Sequence, residues 1–152
     1  MAGNALIDTG GILAVLDRSD GWHKACAAAL RELRFPLITS EAVLTELFHL
    51  VGDNCKEVHA AWKFVRSGAI TLAPITDADF PALDSLMARY SDRPMDFADA
   101  TLVHIAERES LSLILTVDND DFETYRIQGR RRFRIVPGRR TSEAPRSRGR
   151  WR

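Results

Sequence analysis

Asn4-Ala5-Leu6-Ile7-Asp8-Thr9 and Leu113-Ile114-Leu115-Thr116-Val117-Asp118 are the two stretches whose reading decides the fold. Each is a short apolar run that stops on an aspartate. The second is continuously apolar, as a strand covered on both faces should be. Between them, segments with helical apolar spacing alternate with short β-branched runs. Strands are expected at 5–7, 37–39, 70–73 and 113–116, with a last one at 133–136. Helices are expected from the Gly10-Gly11 turn to 16, from about 22 to 34, over 41–51, from Asp53 to 67, from Thr76 to about 90 and from about 97 to 109. Asp120 and Asp121 read as caps of a short helical turn over 120–125. Ser40 suits a helix N-cap, Gly52 a C-terminal stop, and Thr76 with Asp79 a capping box. Such alternation predicts an α/β protein: a three-layer α/β/α sandwich with a central, mostly parallel sheet of four to five strands.

A chain of 152 residues is long enough for one domain with a real core. The folded part is expected over 1–137, followed by an Arg-rich, disordered tail over 138–152. The apolar stretches fall far below the roughly 20 residues a membrane helix needs. A strand that begins almost at once leaves no room for a signal peptide. Cys26 and Cys55 stand isolated, without CxxC spacing, which points to a reduced, cytoplasmic setting. The net charge of zero hides a division. From Gly129 onward there are ten Arg against one Glu, a balance of +9, which leaves −9 for residues 1–128. An acidic body repels nucleic acid unless cations neutralise it, whereas the Arg-rich end attracts phosphates or is simply a solvated tail.

In a parallel sheet the functional crevice lies beyond the carboxyl ends of the strands. Asp8 and Asp118 are delivered there by their strands, and Glu46 and Asp99 lie on segments with helical spacing. Four converging carboxylates repel one another unless a hard cation sits among them. With no competing His or Cys set, that cation is Mg²⁺ or Mn²⁺, and the chemistry is metal-assisted work on phosphates.

At these residues the chain resembles the PIN-domain family, and within it the VapC-type toxin ribonucleases of bacterial toxin–antitoxin pairs. The resemblance rests on Leu6-Ile7-Asp8-Thr9, Thr39-Ser40-Glu41-Ala42-Val43-Leu44-Thr45-Glu46-Leu47, Pro94-Met95-Asp96-Phe97-Ala98-Asp99-Ala100 and Leu115-Thr116-Val117-Asp118-Asn119-Asp120-Asp121-Phe122, in that order. The closing Phe133-Arg134-Ile135-Val136-Pro137 is similar to the family's last strand, so the resemblance covers about 4–137. It implies a ribonuclease in which Asp8, Glu46, Asp99 and Asp118 bind one or two Mg²⁺ or Mn²⁺ ions and carry catalysis. It also implies an RNA substrate, a cognate antitoxin protein and a homodimer. For the dimer the chain itself adds only apolar Leu47, Phe48, Val51, Trp62 and Phe64.

Each acid has a plainer reading. Asp8 alone would be read as a helix cap, Glu46 as a surface charge, and Asp96 as a cap beside Asp99. Thr9 and Thr116 are candidates to hold a ligand carboxylate or a metal-bound water. His23, His49, His59 and His104 share no ligand spacing. A haloacid dehalogenase-like phosphohydrolase would need a second Asp two residues after Asp8, and position 10 is Gly. The remaining alternative is a non-catalytic PIN-like module that binds RNA or protein.

Overall fold

The computed structural model describes residues 4–139. The first strand, β1 (Leu6–Ile7), is followed by α1 (Thr9–Leu16) and α2 (His23–Glu32). Next come β2 (Leu37–Thr39), α3 (Glu41–Val51), α4 (Cys55–Arg66) and β3 (Ile70–Leu72). A 3₁₀ turn (Asp77–Asp79) opens α5 (Phe80–Arg89), and then α6 (Phe97–Arg108), β4 (Leu113–Thr116) and α7 (Asn119–Thr124) follow. The chain ends in β5 (Arg126–Ile127), β6 (Arg131–Arg132) and β7 (Arg134–Pro137).

Five strands form one parallel sheet in the order β3-β2-β1-β4-β7. β1 is therefore central, and its two residues are fully buried because helices cover both faces. Leu6 pairs with Ile38 on one side and Ile114 on the other, so β1 and β4 end side by side. That register is what brings Asp8 next to Thr116. Leu37, Ile114 and Leu115 fill the sheet core; Ile12, Leu47, Leu102 and Ile105 meet them from the helices. Fully burying a side chain of this size contributes about 1.5–3 kcal/mol.

Local signals set the helix starts. Ser40 caps α3, its hydroxyl accepting from the Val43 amide at 3.2 Å. Asp96 caps α6 by accepting from the Asp99 amide at 2.8 Å. Three details correct the sequence reading. Asn54, not Asp53, caps α4. Asp118, not Asp120 or Asp121, caps α7, because only its carboxylate sits below the Asp121 amide. The antiparallel β5–β6 hairpin carries no apolar alternation and was not expected.

The Thr76–Asp79 capping box is present. The Asp79 carboxylate accepts from the His104 Nε2 at 2.7 Å, and Arg108 joins the same carboxylate, so this histidine ties α6 to the 3₁₀ turn. The expected tail lies outside the described residues from position 140. Its first described arginine, Arg139, pairs with Asp120 and Glu123 on α7. Among the described residues no helix is long and apolar enough to cross a membrane.

Candidate active site

Asp8 leaves β1 at its carboxyl end and at once becomes the N-cap of α1. Its Oδ1 accepts from the Gly11 amide at 2.8 Å, and its Oδ2 accepts from the Thr116 hydroxyl at 2.5 Å. Capping α1 and fixing both carboxylate oxygens are thus one geometry. Gly11 is required for it: a Cβ there would lie 2.5 Å from the Leu115 carbonyl and 3.2 Å from the Asp8 Oδ1. Only a glycine lets the first turn of α1 come down against the end of β4.

Thr116 serves two acids. While its hydroxyl donates to Asp8, the same oxygen accepts the Asp118 amide at 2.9 Å. The β4 end is thereby shaped around Asp8, and Asp118 is placed at the rim.

Asp99 stands in the first turn of α6, and its Oδ2 accepts from the Tyr125 phenol at 3.0 Å. Tyr125 is buried among Tyr90 and Phe122, with ring centroids 5.2 and 5.3 Å away in edge-to-face contact. Burial and the Asp99 charge push the phenol's proton affinity upward, so it remains a donor. Sequence reasoning missed this residue; its one sequence signal is an aromatic directly after an acid-rich short helix.

Glu46 lies on α3, half-buried. The Ser40 hydroxyl meets the Thr101 hydroxyl at 2.8 Å, which ties the start of α3 to α6 and so Glu46's carrier to Asp99's. The Thr9 hydroxyl donates to the Val43 carbonyl at 3.4 Å and also favours the charged form of Glu46.

All four acids have raised proton affinities. Burial raises Asp8 from 3.8 to about 6, against the pull of Thr116 and Gly11, and the Glu46 charge adds to the rise. Asp99 is raised well above its ordinary value, first by burial, then by the charges of Asp96, Asp8 and Asp118. Glu46 is raised by burial and by Asp96. Asp118 is raised by desolvation, then by the hydrogen bond and charge it shares with Asp121, with Asp8 contributing. Because Asp118 stands open to solvent, screening tempers its shift more than those of Asp8 and Asp99. Asp8 is the hub: it feels Glu46 and is felt by Asp99 and Asp118. Among the described residues, however, no group of three or more His, Cys, Asp or Glu is gathered as a ready metal cage.

A groove of about 840 Å³ opens beside Glu46 and Asp96, between the α3 and α6 walls. Exposed Leu72 and Phe97 give it apolar edges. The histidines contribute nothing to the acid cluster, although His49 lines this groove.

Comparison with known proteins identifies the family. The chain is 29% identical over 134 residues to the ribonuclease VapC26 of Mycobacterium tuberculosis, covering 87% of this chain and 99% of that one. Its fold is similar to the crystal structure of Mycobacterium tuberculosis VapC20, described as a sarcin–ricin loop-cleaving toxin. The TM-score is 0.68 at 19% identity, over 76% of this chain and 91% of the other. Residues 5–128 match the family model of the PIN domain. With a match over most of its length, the chain belongs to the PIN-domain family.

Proposed function

We propose that this protein is a metal-dependent endoribonuclease, the toxin of a toxin–antitoxin pair, with Asp8, Glu46, Asp99 and Asp118 as its metal-binding and catalytic acids. The observation that carries the reading is the pair of adjacent strand ends, β1 and β4, where the Thr116 hydroxyl donates to the Asp8 carboxylate and accepts the Asp118 amide. The ribonuclease and toxin descriptions of the two similar proteins support the substrate class and the biological role.

The donor set fits Mg²⁺ or Mn²⁺. It consists of carboxylate oxygens, and their raised proton affinities mark a place where positive charge is wanted. Asp8, with both oxygens oriented, and Asp99, held by Tyr125, would be the primary ligands; Glu46 and Asp118 would complete the set. When bound, the ion would lower the pKa of water and stabilise charge on a phosphodiester.

The chain's own residues do the rest. Thr116 and the Gly11 amide hold the Asp8 carboxylate in one orientation. Tyr125 does the same for Asp99. Partly exposed Glu46 and Asp118 would accept a proton from attacking water. The groove lined by Glu46 and Asp96 offers room for a nucleotide.

RNA is the proposed substrate, and an antitoxin protein the proposed restraint. We also infer a homodimer in the cytoplasm. Leu47 and Val51 are already buried within the chain, so they cannot supply a dimer surface. Trp62, 48% exposed and packed on Phe48 at 4.8 Å, and Leu50, 40% exposed, are what this side leaves open. The test of function is cleavage of a labelled RNA with Mg²⁺ or Mn²⁺, using purified protein and its Asp8→Asn and Asp99→Asn variants. Cleavage is expected from the wild type alone. Variants within about tenfold of wild type at saturating metal would overturn the assignment (a tenfold loss being about 1.4 kcal/mol of barrier).

A further inference from the structure

We propose that the β5–β6 hairpin is a docking ridge for the phosphate backbone of RNA, with Arg130, Arg131 and Arg132 joined by Arg89 and Arg134. The inference rests on the ribonuclease reading for its partner but not for its geometry. All five arginines are exposed. Among the described residues none has a carboxylate partner, whereas Arg93, Arg108 and Arg139 each do. Arg89 comes from the last turn of α5, and its Nη1 would lie 3.8 Å from a Cβ on Gly129, so two separate segments bring charge to one place.

The turn is pinned to the body of the fold by its backbone geometry, hydrogen bonds and buried flanks. Gln128 and Gly129 both adopt positive φ, 54° and 70°, which closes the turn. The Arg130 amide donates to the Ile127 carbonyl at 3.2 Å. The Gln128 amide donates to Glu107 at 2.8 Å. Ile127 and Phe133 are buried on either side and anchor the hairpin in the core. Preorganised arginines lose less freedom on binding than those of a loose tail.

Its position also fits. β5 begins one residue after Tyr125, whose phenol touches Asp99. Glu107, against which the turn rests, lies two helical turns along α6 from Asp99, on the order of 12 Å at 1.5 Å per residue. A polyanion must reach a site built of carboxylates, and the other cations near α7 are already engaged: Arg93 with Asp121, and Arg139 with Asp120 and Glu123. The unpaired ridge supplies the missing positive potential. Planar guanidinium forks match phosphate oxygens, and such contacts position a nucleic acid without reading its bases.

The experiment uses full-length protein carrying Asp8→Asn, so that RNA is bound without being cut. Binding of a fluorescent single-stranded RNA is measured by anisotropy between about 50 and 200 mM KCl, a span over which phosphate contacts lose affinity steeply. The same measurement is made with Arg130→Gln, Arg131→Gln and Arg132→Gln added together, and with Lys at the three positions instead. Three lost contacts should reduce the slope of log affinity against log salt by about 2, at roughly 0.7 per contact for single strands. The Lys form should keep the slope. Equal slopes for the Gln form and its parent, with melting temperature unchanged, would overturn the proposal. So would unchanged RNA binding combined with lost binding of a fluorescent polyglutamate, which would assign the ridge to an acidic protein. Wild-type cleavage, scored separately, tells failure of the ridge from failure of the nuclease reading.

Discussion

Replacing Asp8 with Asn should make the metal-free protein more stable at neutral pH, although it removes a buried side chain's charge-assisted hydrogen bonds. Burial moves the Asp8 carboxyl from 3.8 to about 6. A shift of that size corresponds to about 3 kcal/mol of folding free energy. Because the folded state holds its proton more tightly than the unfolded state, stability falls as pH rises from about 4 to about 6. The full cost is present above that window and absent below it. Asn keeps an acceptor for the Gly11 amide at the Oδ1 position. The weaker contact with Thr116 offsets about 1 kcal/mol. The net expectation is about 2 kcal/mol of stabilisation at pH 7.5, on the order of 4–8 °C in melting temperature for a domain of this size. Calorimetry or circular dichroism in EDTA at pH 4, 6 and 7.5 measures it. The advantage should vanish by pH 4, and added Mn²⁺ should raise the melting temperature of the wild type only. An Asn form less stable than wild type at pH 7.5, or an advantage independent of pH, would refute the claim that Asp8 is a buried charge waiting for a cation.

Thr116→Val removes the hydroxyl that holds both the Asp8 carboxylate and the Asp118 amide. Mn²⁺ affinity by calorimetric titration should fall about 10–100-fold, as for other partners of ligating groups; unchanged affinity would show that Asp8 needs no such support. Gly11→Ala should cost at least about 2 kcal/mol, because its Cβ would sit 2.5 Å from the Leu115 carbonyl, a contact that only a backbone shift can relieve; urea denaturation checks this, and a midpoint equal to wild type would contradict the packing. Light scattering at tens of micromolar is expected to show a dimer, and Trp62→Glu should shift it toward monomer; a monomeric wild type would count against the homodimer.

The apolar runs ending at Asp8 and Asp118, the capped helices carrying Glu46 and Asp99, and the parallel α/β class were all legible in the chain. These are local properties: side-chain periodicity, cap chemistry and the run of β-branched residues act over a few positions and are written in order. What only tertiary structure decided lies across long separations. Thr116 meets Asp8 although they are 108 positions apart, because parallel register sets the ends of β1 and β4 side by side. Tyr125 reaches Asp99 across 26 positions because an aromatic cluster turns its phenol toward α6. The β5–β6 hairpin escaped sequence reading for a related reason. Its strands are two residues each, and its arginines carry no apolar alternation. It is held instead by Ile127 and Phe133 packing into a core that forms only when the sheet and α6 are assembled. Sequence thus singled out the four candidate acids, while packing and register decided which hydroxyls orient Asp8 and Asp99.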